Sequence, residues 1–457
     1  MNPDEPTTAL SGWGRASHRR GLVRRPVSDD DLVRAIRSAP QVTVRGAGRS
    51  YGDAALPDQG TVLDLTAHNQ LVSFDQANGV IVIESGALLG DVVEQTLPLG
   101  WLPPVLPGTE RITVGGAIAS DVHGKNHPGA GSFGQHVLWL LLLRSDGTVT
   151  QLSAGQDPDG FWATIGGMGL TGIILEAAVQ LQRVETGWAT RRRHRTRSLD
   201  ETIEVLRSLA ARQELDPELH AVGWLDTHAP GRRLGRAVVD ECRPARAADL
   251  PPAVPPFPER RGRGSAQGMR SLPGPGVVFG ATIAAASSAR WHLSVPRSGS
   301  LLPLTTALCP LDRAESWPAA FGRGGLVQYQ FAVPADGEKV LLQALAYLVG
   351  RRMPPALTTL KNLGFGTAGP LSFPIHGWTL AVDLPARWLR DDSPLQALDE
   401  MVADAGGRVY LAKDVVVDAE LIPRMYPRLD TWRRTQARLD PDRRMTSALA
   451  QRLELLS

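Results

Sequence analysis

The chain has 457 residues, of which 42% are hydrophobic and 21% charged, enough to bury the core of a two-lobed globular protein. Its 49 basic and 47 acidic residues leave a net charge of +2, which excludes a protein-wide positive field for nucleic acid. Two cysteines, Cys242 and Cys309, exclude a disulfide framework and favour a reducing compartment.

The N-terminal residues and the apolar runs bear on location. Residues 1–30 are polar and lack the apolar core of a secretory signal. The longest candidate span, residues 137–143 (VLWLLLL), is far shorter than the roughly 20 residues that cross a membrane, and is typical of a buried strand. We expect a cytoplasmic protein, with contact at the inner membrane that is at most peripheral.

Short β-rich runs alternate with glycine and proline through the first 185 residues. A helix is predicted at residues 88–96 from its apolar spacing and the Gly100 turn that follows. Strands are predicted at residues 41–45, 61–65, 79–84, 137–144 and 148–152. This mixture of strands and short helices predicts an α+β domain.

A first glycine-rich loop, residues 45–53 (RGAGRSYGD), directly follows a predicted strand. Its three glycines allow backbone N–H groups to point into one concavity, a geometry that binds phosphate oxygens. A tight hairpin turn is the alternative. The loop is not a Rossmann fingerprint, because Tyr51 stands where the third glycine belongs, and no Walker A lysine follows.

A second loop, residues 106–134, has seven glycines in 29 residues between apolar strands. Each glycine costs backbone entropy, so this density favours a backbone that approaches an extended cofactor. Residues 166–172 (GGMGLTG) add a third turn of small residues ahead of a buried apolar run. Together the loops predict a cradle for a phosphate-bearing ligand.

The second half of the chain predicts another α+β lobe. An amphipathic helix is predicted at residues 199–211, and residues 243–276, rich in Pro, Arg and Gly, are predicted to form a long loop outside any core. Further predicted elements are strands at residues 326–333, 378–384 and 408–411, helices at 339–349 and 395–405, and a largely helical segment at 421–456. The basic run at residues 191–197 (RRRHRTR) predicts either contact with anionic lipid or nucleic acid, or a solvated strand edge.

Lysine is scarce in this chain, with four residues against 45 arginines. Lysine is a compact charge whose pKa shifts on burial, whereas guanidinium is planar and always charged. Functional roles are therefore expected for some of Lys125, Lys361 and Lys413. Lys339 is the best candidate for a plain surface position, since it begins a predicted amphipathic helix.

The segments RGAGRSYGD, TVGGAIASDVHGKNHPGAGSFG and FWATIGGMGLTGII resemble the FAD-binding domain of the vanillyl-alcohol-oxidase (PCMH-type) flavoproteins. HGKNH, LVQYQF, LSFPIHGW, YLAKD and MYPRLDTW are similar to segments of the decaprenylphosphoryl-β-D-ribose 2-oxidases within that group. The resemblance runs from residue 11 to residue 456. It implies an FAD-binding domain at residues 1–190, a substrate domain on an antiparallel sheet at 191–405, and a segment at 406–457 that returns to the FAD domain.

The resemblance also implies which residues bind. The residues expected to line FAD are Gly46, Ala47, Gly48, Arg49, Ser50, Tyr51, Gly52, Asp53, Gly108, Thr113, Val114, Gly115, Gly116, Ser120, Asp121, Val122, His123, Ile174 and Tyr410. The residues expected on the substrate side are Lys125, Trp224, Gln328, Gln330, Lys361, Thr379 and Ala381, with Lys361 on the substrate phosphate. For Trp224 a position in the core is the alternative. Gln328 and Gln330 alternate on a predicted strand and therefore share a face, which suits sugar hydroxyls or, alternatively, solvent.

Tyr51 bears on how the flavin is held. Related carbohydrate oxidases often carry at this loop position a histidine bonded to the flavin, and a phenol cannot readily replace that linkage. We therefore expect non-covalent FAD.

Lys413 and His123 are the candidate catalytic residues. When a carbinol carbon loses hydride to a flavin, its hydroxyl loses a proton, and a basic or positive group beside that oxygen assists. We assign this role to Lys413; a salt bridge with Asp414 is the alternative. For His123 the alternatives are a core histidine, a flavin or substrate contact, or a metal pair with His127. Gly124 and Pro128 argue against the helix that such a metal pair needs, so we expect no metal.

Three positions depart from the family pattern. Ala381 stands where that pattern has cysteine, Thr379 where it has asparagine, and Leu308 where it has tyrosine. All three lie on the implied substrate side, whereas the flavin loops are intact. The resemblance therefore supports the redox chemistry more strongly than one particular sugar.

The implied function is FAD-dependent oxidation of the 2-hydroxyl of a polyprenyl-phosphoryl pentose, such as decaprenylphosphoryl-β-D-ribose, to the 2-keto sugar. This is the first half of a C2 epimerisation that supplies an arabinan precursor for cell wall biosynthesis. It implies a separate NAD(P)H-dependent keto-reductase as partner, and no nucleic acid. The alternatives are an alditol or aldonolactone oxidase with a soluble substrate, and a flavin-free scaffold.

Overall fold

The computed structural model describes residues 6–259, 276–294, 299–314, 317–353, 355–389 and 394–457. Its N-terminal part holds two principal sheets. The strands of this part are β1 (Thr8–Ser11), β2 (His18–Arg24), β3 (Val42–Arg45), β4 (Thr61–Asp64), β5 (Leu71–Asp75), β6 (Val80–Glu84), β7 (Trp101–Leu102), β8 (Val137–Leu143), β9 (Val149–Leu152), β10 (Ile173–Gln180) and β11 (Gln182–Arg183). The helices are α1 (Asp29–Ser38), α2 (Leu89–Thr96), α3 (Val114–Ala119), α4 (His127–Ala130) and α5 (Pro158–Thr164).

The first sheet has the order β1-β2-β4-β3, with β4 parallel to both of its neighbours. The second is antiparallel with the order β5-β6-β10-β8-β9. The predicted strand at residues 137–144 is β8, which lies between β10 and β9; its Leu140 and Leu142 are buried in one core cluster and its Leu143 in another. The first glycine-rich loop follows β3 of the first sheet, and the second follows β7, which pairs with β11 in a separate two-stranded sheet. The sheets therefore position the loops.

A large antiparallel sheet dominates the second half of the chain, with the order β15-β12-β14-β13-β17-β18-β16-β19. Its strands are β12 (Trp188–Arg195), β13 (His220–Asp226), β14 (Arg236–Pro244), β15 (Ser300–Pro303), β16 (Leu326–Pro334), β17 (Leu357–Leu363), β18 (Gly377–Pro385) and β19 (Arg408–Val409). The helices are α6 (Leu199–Gln213), α7 (Gly280–Leu293), α8 (Leu304–Leu308), α9 (Glu338–Gly350), α10 (Gln396–Asp404), α11 (Ile422–Met425), α12 (Leu429–Leu439) and α13 (Ala448–Arg452). The predicted α+β fold class is confirmed.

The two faces of the large sheet have different partners. Ala221 and Leu225 of β13 pack in one core with Leu206 of the amphipathic α6. Because side chains alternate along a strand, Val222 and Trp224 point to the opposite face, where they line a cavity. The sheet is thus a wall with helices behind it and the cavity in front.

The C-terminal segment spans both halves. β19 pairs with β16 in the large sheet, whereas Trp432 Nε1 donates to the Ala163 carbonyl at 3.0 Å and Thr446 N to the Val42 carbonyl at 2.9 Å. We propose on these contacts the division into residues 1–190, 191–405 and a returning segment 406–457. Residues 421–456 are less helical than predicted, because α11, α12 and α13 are short and separated by irregular chain.

The prediction that residues 243–276 form one loop outside any core is wrong in part. Its first two residues end β14, and Phe257 packs against the N-terminal core, so part of the loop is not outside a core. Residues 260–275 lie outside the described residues. In the described parts of the chain, no helix is long and apolar enough to cross a membrane.

Candidate active site

One cavity lies between the glycine-rich loops and the large sheet. It is partly open to solvent, and its walls come from both glycine-rich loops and from strands of the large sheet. Most of the predicted site residues line it: Gly46, Ala47, Gly48, Arg49, Ser50, Tyr51, Gly108, Thr113, Gly115, Gly116, Ser120, Val122, His123, Lys125, Ile174, Trp224, Gln328, Gln330, Lys361, Ala381, Tyr410 and Lys413. The cavity thus brings together residues from the first loop, the second loop, the large sheet and the C-terminal segment.

The first and second loops touch where both are glycine-rich. A Cβ atom built on Gly46 would lie 2.2 Å from Thr113 Oγ1, so glycine alone permits this approach. Gly48 has φ +64°, and a Cβ there would lie 2.2 Å from the Arg45 guanidinium. That guanidinium is fixed by bonds to the Ser11 and Ala55 carbonyls. These contacts hold loop 45–53 in one conformation.

The second loop turns into α3 at the cavity. Thr113 caps that helix, since its Oγ1 accepts from Gly116 N at 3.1 Å. Gly108 has no neighbour within 4 Å of an added Cβ, because it faces the open cavity. A backbone surface without side chains is thus presented to a ligand.

Five predicted residues lie behind the cavity wall instead of on it: Gly52, Asp53, Val114, Asp121 and Thr379. Asp53 accepts from the Arg452 guanidinium at 3.0 and 3.1 Å, and the same guanidinium donates to Asp414 at 2.8 Å. This shared arginine ties the first loop to the C-terminal segment. The alternative role of Lys413 was a salt bridge with Asp414, but the structure pairs Asp414 with Arg452.

The other predicted residues behind the cavity wall are also held by contacts within the protein. Gly52 packs against the Asp414 carbonyl, and Val114 is in the N-terminal core. Asp121 accepts from Gly134 N at 3.0 Å and from Ser372 Oγ at 2.5 Å, and burial raises its pKa. We propose that all five support the wall without touching FAD or substrate.

Three of the four lysines lie at the cavity, and the fourth is on the surface. Lys125, Lys361 and Lys413 all line the cavity, whereas Lys339 is exposed at the start of α9. Burial, together with the smaller effect of repulsion from Lys125 and Lys413, lowers the pKa of Lys361 to about 7. Among the described residues, the Nζ atoms of Lys361 and Lys413 have no hydrogen bond. Three lysines that face one cavity, two of them without a hydrogen bond to the described protein, predict an anionic ligand.

Lys413 lies beside a carboxyl group that the sequence analysis missed. Burial lowers the pKa of Lys413 to about 7, and the nearby Asp383 opposes this shift. Burial raises the pKa of Asp383 to about 7, and its Oδ1 accepts from Gln328 Nε2 at 2.6 Å. The Lys413 ammonium also lies 3.8 Å from the centroid of the Tyr51 ring. An amine and a carboxyl that both titrate near neutrality suit proton transfer.

His123 is fixed as a neutral imidazole. Gln330 Nε2 donates to His123 Nε2 at 3.1 Å and also lies 3.1 Å from Thr379 Oγ1, which holds the amide in place. Burial, followed by the charge of Lys361, lowers the pKa of His123 well below its ordinary value. The ring packs 5.4 Å from that of Tyr410. In the described residues, no cluster of three or more metal-binding side chains occurs.

Trp224 and Lys125 also line the cavity, and each donates a hydrogen bond to the protein. Trp224 Nε1 donates to Asp240 Oδ2 at 3.1 Å, and Lys125 Nζ donates to the Leu308 carbonyl.

The cavity is also lined by residues that the sequence did not predict, among them Trp13, Asp312, Trp317, Thr359 and Asp383. Strand alternation could have found Asp383, because it lies two residues after Ala381 and therefore on the same face.

The comparisons with known proteins agree with this geometry. Residues 21–153 match a family described as an FAD binding domain. Decaprenylphosphoryl-beta-D-ribose oxidase of Mycolicibacterium smegmatis is 36% identical over 459 aligned residues, which cover 99% of this chain and 99% of that protein. The chain belongs to the decaprenylphosphoryl-β-D-ribose oxidase family.

Other relatives widen the comparison. A Streptomyces coelicolor protein described as an uncharacterized protein in the mprA 5' region is 39% identical over 80% of this chain and 99% of its own. L-gulono-1,4-lactone dehydrogenase of Mycobacterium tuberculosis is 24% identical over 95% and 96%. With the family and its FAD-binding domain shown, the chain is an FAD-dependent oxidoreductase, and the sequence-based prediction of FAD is confirmed.

The cavity fits FAD on its own evidence. The close approach of Gly46 to Thr113 and the bare backbone at Gly108 form a cradle that a side chain would fill. In addition, His123 Nδ1 is buried and has no partner among the described residues. We propose that the two loops hold the cofactor, with Ile174 and Tyr410 completing its surround.

We expect the flavin to dissociate on acid precipitation. Burial raises the pKa of Tyr51, so its phenol remains protonated and a poor nucleophile. No cysteine lines the described cavity. The measurement is the flavin absorbance of the supernatant and of the washed pellet. Yellow colour that stays with the pellet would show a covalent bond.

The pH profile follows from the two buried groups. A neutral Lys413 amine accepts a proton, so kcat/KM of the flavin-loaded enzyme is expected to rise with pH through about 7. Asp383→Asn removes the carboxylate that raises the Lys413 pKa, and should move this acid limb about one pH unit lower. The exposed Asp336→Asn is the control. An acid limb that stays in place or moves upward in Asp383→Asn contradicts this pairing.

Proposed function

We propose that the protein oxidises the 2-hydroxyl of a polyprenyl-phosphoryl pentose, similar to decaprenylphosphoryl-β-D-ribose, to the 2-keto sugar. The observation that carries this proposal is the set of three lysines, Lys125, Lys361 and Lys413, facing one cavity beside the glycine cradle. The 36% identity to an enzyme named for that substrate supports it. FAD, when bound, takes up the hydride that leaves the C2 carbon.

The chain's residues supply the proton chemistry. The neutral amine of Lys413 accepts the hydroxyl proton as the C2–H bond breaks, so the alcohol becomes a ketone. Asp383 raises the Lys413 pKa and is itself held by Gln328. His123 is proposed to act as a neutral group that positions Gln330 on the same wall.

The remaining polar groups orient the substrate. Gln328 and Gln330 share one face of β16, and their amides suit the hydroxyls of a sugar ring. Lys361 and Lys125, which line the same cavity, suit the substrate phosphate. Trp224 and Ala381 form the apolar part of this wall, and the small Ala381 leaves space beside the sugar.

The product chemistry implies a partner. A 2-keto sugar becomes the C2 epimer only when hydride is returned to the opposite face of the carbonyl. We propose that a separate NAD(P)H-dependent keto-reductase carries out that step, and that the enzyme works peripherally at a membrane that contains the lipid-linked sugar.

Trapping of the product tests the proposal. The enzyme is incubated with decaprenylphosphoryl-β-D-ribose and an electron acceptor, quenched with borodeuteride, and the sugar is analysed by mass spectrometry. Deuterium at C2 of both ribose and arabinose is expected. The same assay is run with alditols and L-gulono-1,4-lactone, because a lactone dehydrogenase is among the relatives. Turnover of those compounds alone would establish the soluble-substrate alternative.

A further inference from the structure

Thr379 belongs to the cavity face of the large sheet but does not line the cavity. It lies two residues before Ala381 in β18, and Ala381 lines the cavity, so both side chains are on the same face. The Thr379 side chain is only 1% exposed. Its hydroxyl is nevertheless 3.1 Å from Nε2 of Gln330, a residue that does line the cavity. Any effect of Thr379 on a ligand must therefore act through a neighbour such as Gln330.

One backbone carbonyl fixes the direction of the hydrogen bonds around Thr379. A carbonyl oxygen can only accept, so the 2.9 Å contact between Thr379 Oγ1 and the Phe331 carbonyl requires the hydroxyl to donate there. The hydroxyl has then used its single proton and can only accept from Gln330. The Gln330 atom that lies 3.1 Å from Thr379 Oγ1 must consequently be the NH2 group and not the carbonyl oxygen.

The second proton of the same NH2 group determines the tautomer of His123. Gln330 Nε2 lies 3.1 Å from His123 Nε2, and an amide nitrogen cannot accept, so Nε2 is the unprotonated nitrogen of the ring. The neutral ring therefore carries its proton on Nδ1. Burial lowers the pKa of His123 well below its ordinary value, which keeps the imidazole in this neutral form.

The Gln330 amide is left with one unused group, its carbonyl oxygen. Both protons of the NH2 group are engaged, one by Thr379 and one by His123, so the amide cannot turn over without losing both bonds. Gln330 Oε1 has no donor among the described residues and is not enclosed by protein. A fixed acceptor of this kind selects a ligand group that donates a hydrogen bond and rejects one that can only accept.

We propose that Thr379 is a positioning residue that holds the Gln330 carbonyl oxygen toward the cavity, where it accepts a hydrogen bond from a sugar hydroxyl. Because Lys413 is assigned to the hydroxyl that is oxidised, Gln330 binds a different hydroxyl of the same sugar. The inference rests on the proposed function, since it takes a sugar as the ligand. It goes further by giving Thr379, which stands where the family pattern has asparagine, a role in substrate selection.

Three variants separate the hydroxyl of Thr379 from the shape of its side chain. Thr379→Val keeps the branched shape but can neither donate nor accept, so the Gln330 amide can turn and present its NH2 group to the cavity. Thr379→Ser keeps the hydroxyl and should keep the selection. Thr358→Val is the matched control, because Thr358 is buried in β17, does not line the cavity, and its Oγ1 has no hydrogen bond among the described residues.

The measurement compares a ligand that can donate with one that cannot. The ligands are decaprenylphosphoryl-β-D-ribose and its analogues with fluorine in place of the 3-hydroxyl or the 5-hydroxyl. Dissociation constants come from the ligand dependence of the anaerobic flavin-reduction rate, which separates binding from the electronic effect of fluorine on hydride transfer. One analogue should bind at least about tenfold more weakly than the parent to the unaltered protein, Thr379→Ser and Thr358→Val.

Thr379→Val should bind the parent and that analogue alike, because the parent loses its acceptor. A purely structural role of Thr379 would lower the amount of folded enzyme or its melting temperature, but would leave the ratio of the two dissociation constants unchanged. Equal binding of the parent and both analogues by the unaltered protein overturns the inference, and this comparison needs no variant to fold. An unchanged ratio in Thr379→Val, or an equal loss of selection in Thr358→Val, also overturns it.

Failure of the proposed function gives a different result. The lipid-linked ribose would then leave the flavin oxidised, and the same ratio would be measured with an alditol that reduces the flavin and with its fluorinated analogues. Selection for the hydroxyl that is lost in Thr379→Val would support the inference and refute the proposed substrate. Absence of selection with the alditol as well would refute both.

Discussion

Lys413→Ala is expected to lower kcat/KM about 10²–10⁴-fold, the usual contribution of a positioned proton acceptor, while FAD remains bound. Lys413 lines the cavity, its pKa is lowered to about 7 by burial, and its Nζ has no hydrogen bond among the described residues. Its amine is therefore available to the substrate hydroxyl. Steady-state rates at saturating FAD, with flavin content measured in parallel, check this expectation.

Two further variants sharpen the test. Lys413→Arg keeps a positive charge but cannot lose its proton, so it should be nearly as slow as Lys413→Ala if proton acceptance is the role. Lys339→Ala removes the exposed lysine of α9 and should leave the rates unchanged. Full activity in Lys413→Ala would remove the residue from the catalytic centre, and full activity in Lys413→Arg would leave it a purely electrostatic role.

Gly46→Ala is expected to weaken FAD binding at least tenfold and to lower the melting temperature. The new Cβ would lie 2.2 Å from Thr113 Oγ1. That oxygen cannot move away freely, because it caps α3 through Gly116 N. Overpacking costs about 1–3 kcal/mol, and loss of a cap about 0.5–2 kcal/mol. The upper part of each range exceeds the roughly 1.4 kcal/mol that corresponds to a tenfold change in affinity.

Gly155→Ala is the matched control for this variant. Gly155 is exposed, has no neighbour within 4 Å of an added Cβ, and has an ordinary backbone conformation. Its flavin affinity, measured by quenching of free FAD fluorescence, should equal that of the unaltered protein. Gly46→Ala protein with normal FAD affinity would mean that the two loops do not form the cradle together.

Much of the site could be predicted from residue types. Glycine marks the positions where the backbone must approach closely or turn. Gly46 and Gly48 are needed for close approach and for a positive φ, and the density of glycine marks both loops. The scarcity of lysine marked Lys125, Lys361 and Lys413, which share one cavity although they are up to 288 positions apart. Period-two alternation likewise placed Gln328 and Gln330 on one face.

The remaining features depend on pairings between distant segments. Asp383 meets Gln328 and Lys413 only because β18 pairs with β16 in one register, and a shift by one residue would turn Asp383 to the other face. Asp53 was predicted to line FAD, but its carboxylate accepts a hydrogen bond from Arg452, 399 positions away, and lies behind the cavity wall. The β17 strand lacks a clear alternation and was not predicted.

Anaerobic titration of the purified, flavin-loaded protein tests the central claim most directly. Decaprenylphosphoryl-β-D-ribose is expected to bleach the oxidised flavin absorbance stoichiometrically, whereas Lys413→Ala protein should remain yellow over the same time. Alditols and L-gulono-1,4-lactone should leave the flavin of the unaltered protein oxidised. Bleaching by those soluble compounds, with none by the lipid-linked ribose, would contradict the account.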